Sequence, residues 1–278
     1  DTFGREYGKK RGDPGHQEIE LALIKAYEYT NKKKYLKLAT YFIEERGKSD
    51  TNHKHYFINE NEILKKNSQK LDFSKLPSNL RDFIEFHSAK DESVFKDLEY
   101  WQAHKEHINQ DTAEGHSVRA LYMFTAMADL ARINNHKDLL KTCKILWRNI
   151  VDKRMYIHGG VGSAHIGERF SFDYDLPNDM AFAETCASIA LIYFANRLSK
   201  IEINSEYGDV IENNLYNLIL ASTSQDGKGF FYDNYLECNP GYLHFQDRRH
   251  GIRDEYHICS CCPPNITRLI ASMDMYIY

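Results

Sequence analysis

The chain has 278 residues, 42% of them apolar, enough for one large domain with a sizeable core or two small ones. A net charge of −4 without any basic stripe excludes nucleic acid as a partner. No apolar run within the sequence reaches the roughly 20 residues of a membrane span or reads as a signal peptide; a chain that opens on Asp1 rather than Met and stops at Met275 to Tyr278, directly after a helix, is read as a fragment lacking both flanks.

Helical periodicity opens the chain. Ile19, Ala22, Leu23, Ala26 and Tyr27 recur at helical spacing between Gln17 and Thr30. Asn31 to Lys34 make a polar turn, and Tyr35, Leu36, Ala39, Phe42 and Ile43 continue on a second helix that closes near Gly47. Residues 60 to 100, rich in Lys, Asp and Ser, read as an insertion or long connection. The helix pair then returns: Val118, Leu121, Tyr122, Thr125 and Ala128 follow Gly115-His116-Ser117, Asn134-Asn135 turn the chain, and Leu139, Leu140, Cys143, Leu146 and Trp147 lie on the partner. Gly15-His16 and Gly115-His116 thus stand at matching places. Residues 156 to 182, rich in Gly, Asp and aromatics, read as a long functional loop. A third, looser pair follows, with Ala183-Glu184-Thr185-Cys186 leading into the helix from Ala187 to Leu198 and a partner from Asp209 to Ser222. Residues 226 to 262 form a second long loop with short β-like pieces such as Gly229 to Tyr235. Repeated helix pairs imply an all-α solenoid or closed toroid. In a toroid the starts of equivalent helices converge on one funnel, which would gather His16, His116 and Glu184.

Six cysteines include the run Cys259-Ser260-Cys261-Cys262. Adjacent cysteines pair poorly with each other, and a chain this long needs no disulfide scaffold, so a reduced metal-binding or catalytic role is the better reading. Zinc favours such a thiolate and carboxylate shell. Glu184 and Cys186, two apart, share no helix face and could meet one ion only at a half-helical end. Buried thiols acting as small hydrophobes are the bland alternative. A zinc here could be structural, catalytic with an open position, or could hold a thiolate that is itself the nucleophile. The segment Gly167 to Asp179 interleaves four acids with aromatics; an acid beside apolar rings suits general-acid work, and Glu168 is the natural choice. His158-Gly159-Gly160-Val161-Gly162 lacks the Lys-Ser/Thr and the parallel-sheet context of a phosphate loop, so nucleotide binding is rejected. Tyr232 has packing as its default role, although its hydroxyl could bind a ligand.

Taken together, Pro14 to Ala22, Gly115-His116, Gly160 to Ser163, Phe170 to Asp179, Ala183 to Ser188 and Cys261-Cys262-Pro263-Pro264-Asn265 resemble the bacterial zinc-dependent β-L-arabinofuranosidases over nearly the whole chain. The resemblance implies an (α/α)6 barrel, here partial, with the N-terminal barrel part and a following β-rich domain lying outside residues 1–278. It implies a retaining glycosidase with Zn2+ held by Glu184, Cys186, Cys261 and Cys262, Cys261 as nucleophile, and Glu168 as acid/base. His16, His116 and Tyr232 would line the sugar subsite, and the substrate would be an arabinose-containing glycan or glycopeptide. Two other readings stand beside it: a non-catalytic helical-repeat sugar-binding module with structural zinc, and a lyase or uronide hydrolase on the same toroid. Reduced thiols point to the cytoplasm.

Overall fold

Residues 2–13, 15–48, 97–238, 251–257 and 259–277 are described by the computed structural model; most of the 60–100 insertion lies outside them. Helix α1 (Glu18–Thr30) ends where Asn31 turns left-handed at φ 54° and donates back to the Tyr27 carbonyl. Helix α2 (Lys33–Glu45) begins two residues earlier than its apolar pattern suggests. Lys33 and Lys34 are good helix formers on an exposed first turn, so the polar turn shrinks to Asn31-Lys32. Gly47 closes the pair at φ +79°, where a Cβ would stand 2.0 Å from the Lys105 carbonyl oxygen.

Helices α3 (Ser117–Ile133) and α4 (Lys137–Lys153) form the second pair, and α5 (Thr185–Ser199) and α6 (Ser205–Asn213) the third. The last of these departs from the sequence pattern. Asn204 caps it, so it starts before Asp209, and it runs through a π-helical turn, Asn214–Ile219, before Leu220–Ser222. Asn214 is fully buried there, with its amide on the Val210 carbonyl.

Burial separates the helices into two layers. Almost every residue of α3 and α5 is buried, including Ala120, Thr125, Ala187 and Ser188, whereas α4 and α6 bury one stripe each. A helix covered on all sides belongs inside. α3 packs on α1 and α5, while α2, α4 and α6 back the inner row. Trp147 of α4 bridges the layers, 5.8 Å from the Phe194 ring and 5.0 Å from Tyr207.

The inner helices α3 and α5 run parallel and in step. Asp129 and Arg197 stand equally far from the residues that open their helices, His116 and Glu184, and pair at 2.9 Å in a buried ion pair. The loop over 154–184 crosses the starting ends of both helices, with Phe170 N donating to Gly115 O and Ser117 N to Glu168 O. The expected β pieces occur only as isolated bridges among the described residues, such as Thr223 with Phe230. Helix α7 (Cys262–Ala271) packs on α5, and a final turn, Asp274–Ile277, follows it. Among the described residues no helix is long and apolar enough to cross a membrane.

Candidate functional site

The starts of the inner helices carry the polar groups that the core must otherwise exclude. His116 is the N-cap residue of α3 and Glu184 that of α5, both with extended backbone. This resolves the spacing problem at Glu184 and Cys186: the carboxylate precedes the helix and the thiol lies within its first turn, so both turn to one point. Ala183 precedes them at φ 41°. That costly conformation is held by Asn234, whose side-chain amide donates to Ala183 O at 2.9 Å and to Thr185 Oγ1 at 3.0 Å.

Cys261 and Cys262 arrive on the first turn of α7, which Pro263 and Pro264 favour because early helix positions need no backbone donor. Cys186 Sγ lies 3.4 Å from Cys262 Sγ, and Cys261 Sγ lies 3.8 Å from Cys262 Sγ and 3.5 Å from Glu184 Oε1. A tetrahedral zinc with bonds of about 2.0–2.3 Å has ligand–ligand edges of about 3.3–3.8 Å. The four residues therefore match a zinc shell in chemistry and spacing, their donor atoms all falling within 4.8 Å of one another. Glu184 Oε2 is buried without a hydrogen-bond partner among the described residues, which suits an acceptor for a cation. Burial, then the Glu168 carboxylate, holds the Glu184 carboxyl well above its ordinary range, and burial likewise pushes the Cys262 thiol up. The two buried thiols, Cys186 and Cys262, are closed off; Cys261 is the partly exposed one.

Glu168 faces this cluster from the loop. Its backbone is left-handed at φ 50°, and its carbonyl accepts from Ser117 N and Oγ, so the first turn of α3 fixes it. Its carboxylate stands 3.1 Å from His116 Nε2 and 3.3 Å from the Tyr232 hydroxyl. Burial, then the Glu184 and Glu168 carboxylates, holds the Tyr232 phenol protonated, so it donates to Glu168. Tyr232 also accepts from Cys261 Sγ at 3.5 Å. Burial lowers the His116 pKa despite Glu168 beside it. A neutral ring donating from Nε2 leaves Nδ1, buried and without a partner among the described residues, as an acceptor; this tautomer is assigned from its partner.

His16 sits further out, its ring 5.6 Å from that of Tyr122. It is exposed at its surface, yet the surrounding protein, then Arg119 and His116, lowers its pKa and keeps it neutral. The other acids of the loop divide by role. Asp173 is salt-bridged to Lys153 and Arg154, which hold its carboxyl at about 2, and it serves to pin the loop on α4.

Two residues of this pocket escape the sequence pattern. Tyr100 sets its ring edge-on to His116 at 5.9 Å, and Arg119 lies beside it. Tyr100 stands at the end of the stretch read as an insertion, which hid it. Arg119 carries a weak signal, being one helical turn past His116.

Comparison with known proteins agrees with this layout. The profile of the β-L-arabinofuranosidase GH127 catalytic domain matches residues 1–275. A non-reducing end β-L-arabinofuranosidase from Bifidobacterium longum subsp. longum is 41% identical over 100% of this chain and 39% of its own length. The crystal structure of a GH127 β-L-arabinofuranosidase from Geobacillus stearothermophilus T6 superposes with a TM-score of 0.83 at 43% identity, covering 100% of this chain and 40% of that one. A second GH127 β-arabinofuranosidase structure gives 0.76 at 36% identity over 99% of this chain and 35% of that one. The helical layout is thus of the (α/α)-barrel type, and the chain spans about two fifths of the length of these relatives.

Proposed function

Because the chain belongs to the GH127 β-L-arabinofuranosidase catalytic-domain family, we propose that it carries the reaction centre of a retaining glycoside hydrolase that releases β-linked L-arabinofuranose from a glycan or glycopeptide. The observation that carries this reading is the contact chain Glu168–Tyr232–Cys261, at 3.3 and 3.5 Å. It brings a carboxylate and the one partly exposed thiol of the cluster to a shared phenol oxygen, the acid and the nucleophile that cleavage at an anomeric carbon requires.

Glu184, Cys186, Cys261 and Cys262 would hold the zinc, which supplies the positive charge that keeps thiols ionised near neutral pH. Glu168 gives its proton to the leaving oxygen as the Cys261 sulfur bonds to the anomeric carbon and the glycosidic bond breaks. In the second step Glu168 takes a proton from water, whose oxygen displaces the sulfur from the sugar. His116 holds the Glu168 carboxylate from one side and Tyr232 from the other, and with His16 they line the sugar subsite. The reduced thiols support a reducing compartment.

The structural-zinc reading lacks this asymmetry, since it gives no reason for Cys261, alone among the four cluster residues, to be partly exposed. The test begins with zinc per chain in protein purified under reducing conditions: about one is expected, lost in Cys262→Ala. On an aryl β-L-arabinofuranoside, Cys261→Ser is expected to lose roughly 10³-fold or more in kcat. Undiminished turnover by Cys261→Ser would sink the nucleophile assignment.

A further inference from the structure

The run His158-Gly159-Gly160-Val161-Gly162 has no part in the reaction above, yet it lies against the start of α5. Gly160 leaves no room for a side chain: a Cβ there would stand 2.6 Å from His158 Cε1 and 2.8 Å from the Ala183 Cβ. Gly162 turns left-handed at φ +83°, and its carbonyl accepts from Ala183 N at 2.9 Å. Phe182 N donates to Ser163 O beside it. From the other side, Asn234 N donates to Phe182 O and Thr185 N to Tyr232 O, both at 2.9 Å. Residues 182–185 are thus clasped between two segments remote in the chain.

Side chains complete the clasp. Burial lowers the His158 pKa, so its ring is neutral. Nδ1 accepts from Gly160 N at 3.3 Å and Nε2 donates to the Asn234 carbonyl at 3.1 Å, the tautomer being assigned from these partners. Asn234, itself 6% exposed, turns both of its amide hydrogens the other way, to Ala183 O at 2.9 Å and Thr185 Oγ1 at 3.0 Å. One amide therefore holds the residues on both sides of Glu184. The Ala183 carbonyl belongs to the rigid peptide unit that leads into Glu184, so pinning it fixes the plane from which the Glu184 side chain departs. The left-handed φ of 41° at Ala183 is kept by the same contact.

This backbone control matters because nothing else steers the carboxylate. Among the described residues Glu184 hydrogen-bonds through its side chain only to thiols of the cluster, and Oε2 has no partner there. A ligand carboxylate is ordinarily aimed by polar groups outside the ligand shell. We propose that Asn234 is a positioning residue that aims the Glu184 carboxylate at the thiol cluster, with His158 fixing Asn234 in turn. This rests on the glycosidase reading above, with its thiolate zinc site.

The test reads the surroundings of the metal as well as turnover. The full chain is loaded with Co2+ in place of zinc, and its visible absorption reports the kind and geometry of the ligands. In Asn234→Ala the sulfur-to-cobalt bands are expected to stay, while the ligand-field bands move in the direction in which Glu184→Gln moves them. Zinc affinity, measured against a competing chelator, is expected to fall about 10–100-fold. His158→Ala is expected to give the same shift more weakly, and His158→Gln, whose amide can donate to the Asn234 carbonyl, to keep the wild-type spectrum. A residue that only stabilises the fold would lower the melting temperature and leave the cobalt bands in place. That result, or unchanged zinc affinity in Asn234→Ala, overturns the proposal, as does a wild-type chain that binds no cobalt. Should Asn234→Ala fail to fold, His158→Ala decides, and bands unmoved there overturn it. Shifted bands in Asn234→Ala, with no hydrolysis of an aryl β-L-arabinofuranoside by the wild-type chain, would defeat the glycosidase reading and leave the positioning role standing.

Discussion

Tyr232 and His116 show how few atoms separate a structural contact from a chemical one. Each donates to one Glu168 oxygen, and each is held by burial in the neutral form that can donate. If Glu168 protonates the leaving oxygen, its value depends on how badly that oxygen needs the proton. Glu168→Gln should therefore lose roughly 10²–10⁴-fold in kcat/KM on a methyl glycoside and far less on a nitrophenyl one. Equal losses on the two substrates would remove the acid role. Tyr232→Phe should cost about 10–10²-fold while leaving the melting temperature nearly unchanged. At this scale the thiol cluster and Glu168 were legible, because their residue types sit in short, chemically unusual runs. Tyr100 and Arg119 were not, because an ordinary tyrosine in a polar stretch and an arginine on an apolar helix acquire meaning only from what they face.

Helices α3 and α5 hold the site by their register. Their buried pair, Asp129 with Arg197, sits at the far ends from the cluster and resists any slide that would separate His116 from Glu184. Asp129→Ala leaves a buried guanidinium and should cost about 3 kcal/mol; the double change to Leu and Met should cost less than the single one, as read by denaturant unfolding. Helix α1 carries a different buried charge. Glu20 is fully enclosed, with neither carboxylate oxygen hydrogen-bonded among the described residues, and burial raises its pKa to about 7, with Arg46 opposing and Asp13 adding to the effect. Because the folded form binds this proton more tightly, the contribution is complete below about pH 4.5 and is lost as pH rises through 7. The loss approaches about 3 kcal/mol at ~1.4 kcal/mol per tenfold change. Wild-type chain should melt at a lower temperature at pH 8 than at pH 5, and Glu20→Gln should flatten that slope; a slope unchanged in Glu20→Gln would remove Glu20 as its source. The pattern of apolar residues foretold these helices and their pairing. It did not foretell the π turn at Asn214–Ile219, because such a bulge follows from the fit of a buried asparagine.

Across the described helices, α7 is the tie. Arg268 donates to the hydroxyls of Tyr193 and Tyr122 at 3.1 and 2.9 Å and to Glu18 at 2.6 Å, so one side chain ties α1, α3 and α5 to the helix that delivers Cys261 and Cys262. If zinc joins Glu184 and Cys186 to that same helix, a chelator should lower the melting temperature by several degrees, and Arg268→Ala should lower zinc affinity as well as stability. A chelator with no effect on melting would show that α7 is held by packing alone. The sequence by itself determined the helices, their pairing and the kinds of residue available for chemistry. Periodicity and composition are local properties, so they survive in a string of letters. The tertiary structure alone decided which starts of helices converge, that Glu184 precedes its helix while Cys186 lies within it, and that Cys261 is the one of the four cluster residues left partly exposed. Those outcomes depend on the packing of segments far apart in the chain, where burial and neighbouring charge set what each side chain can do.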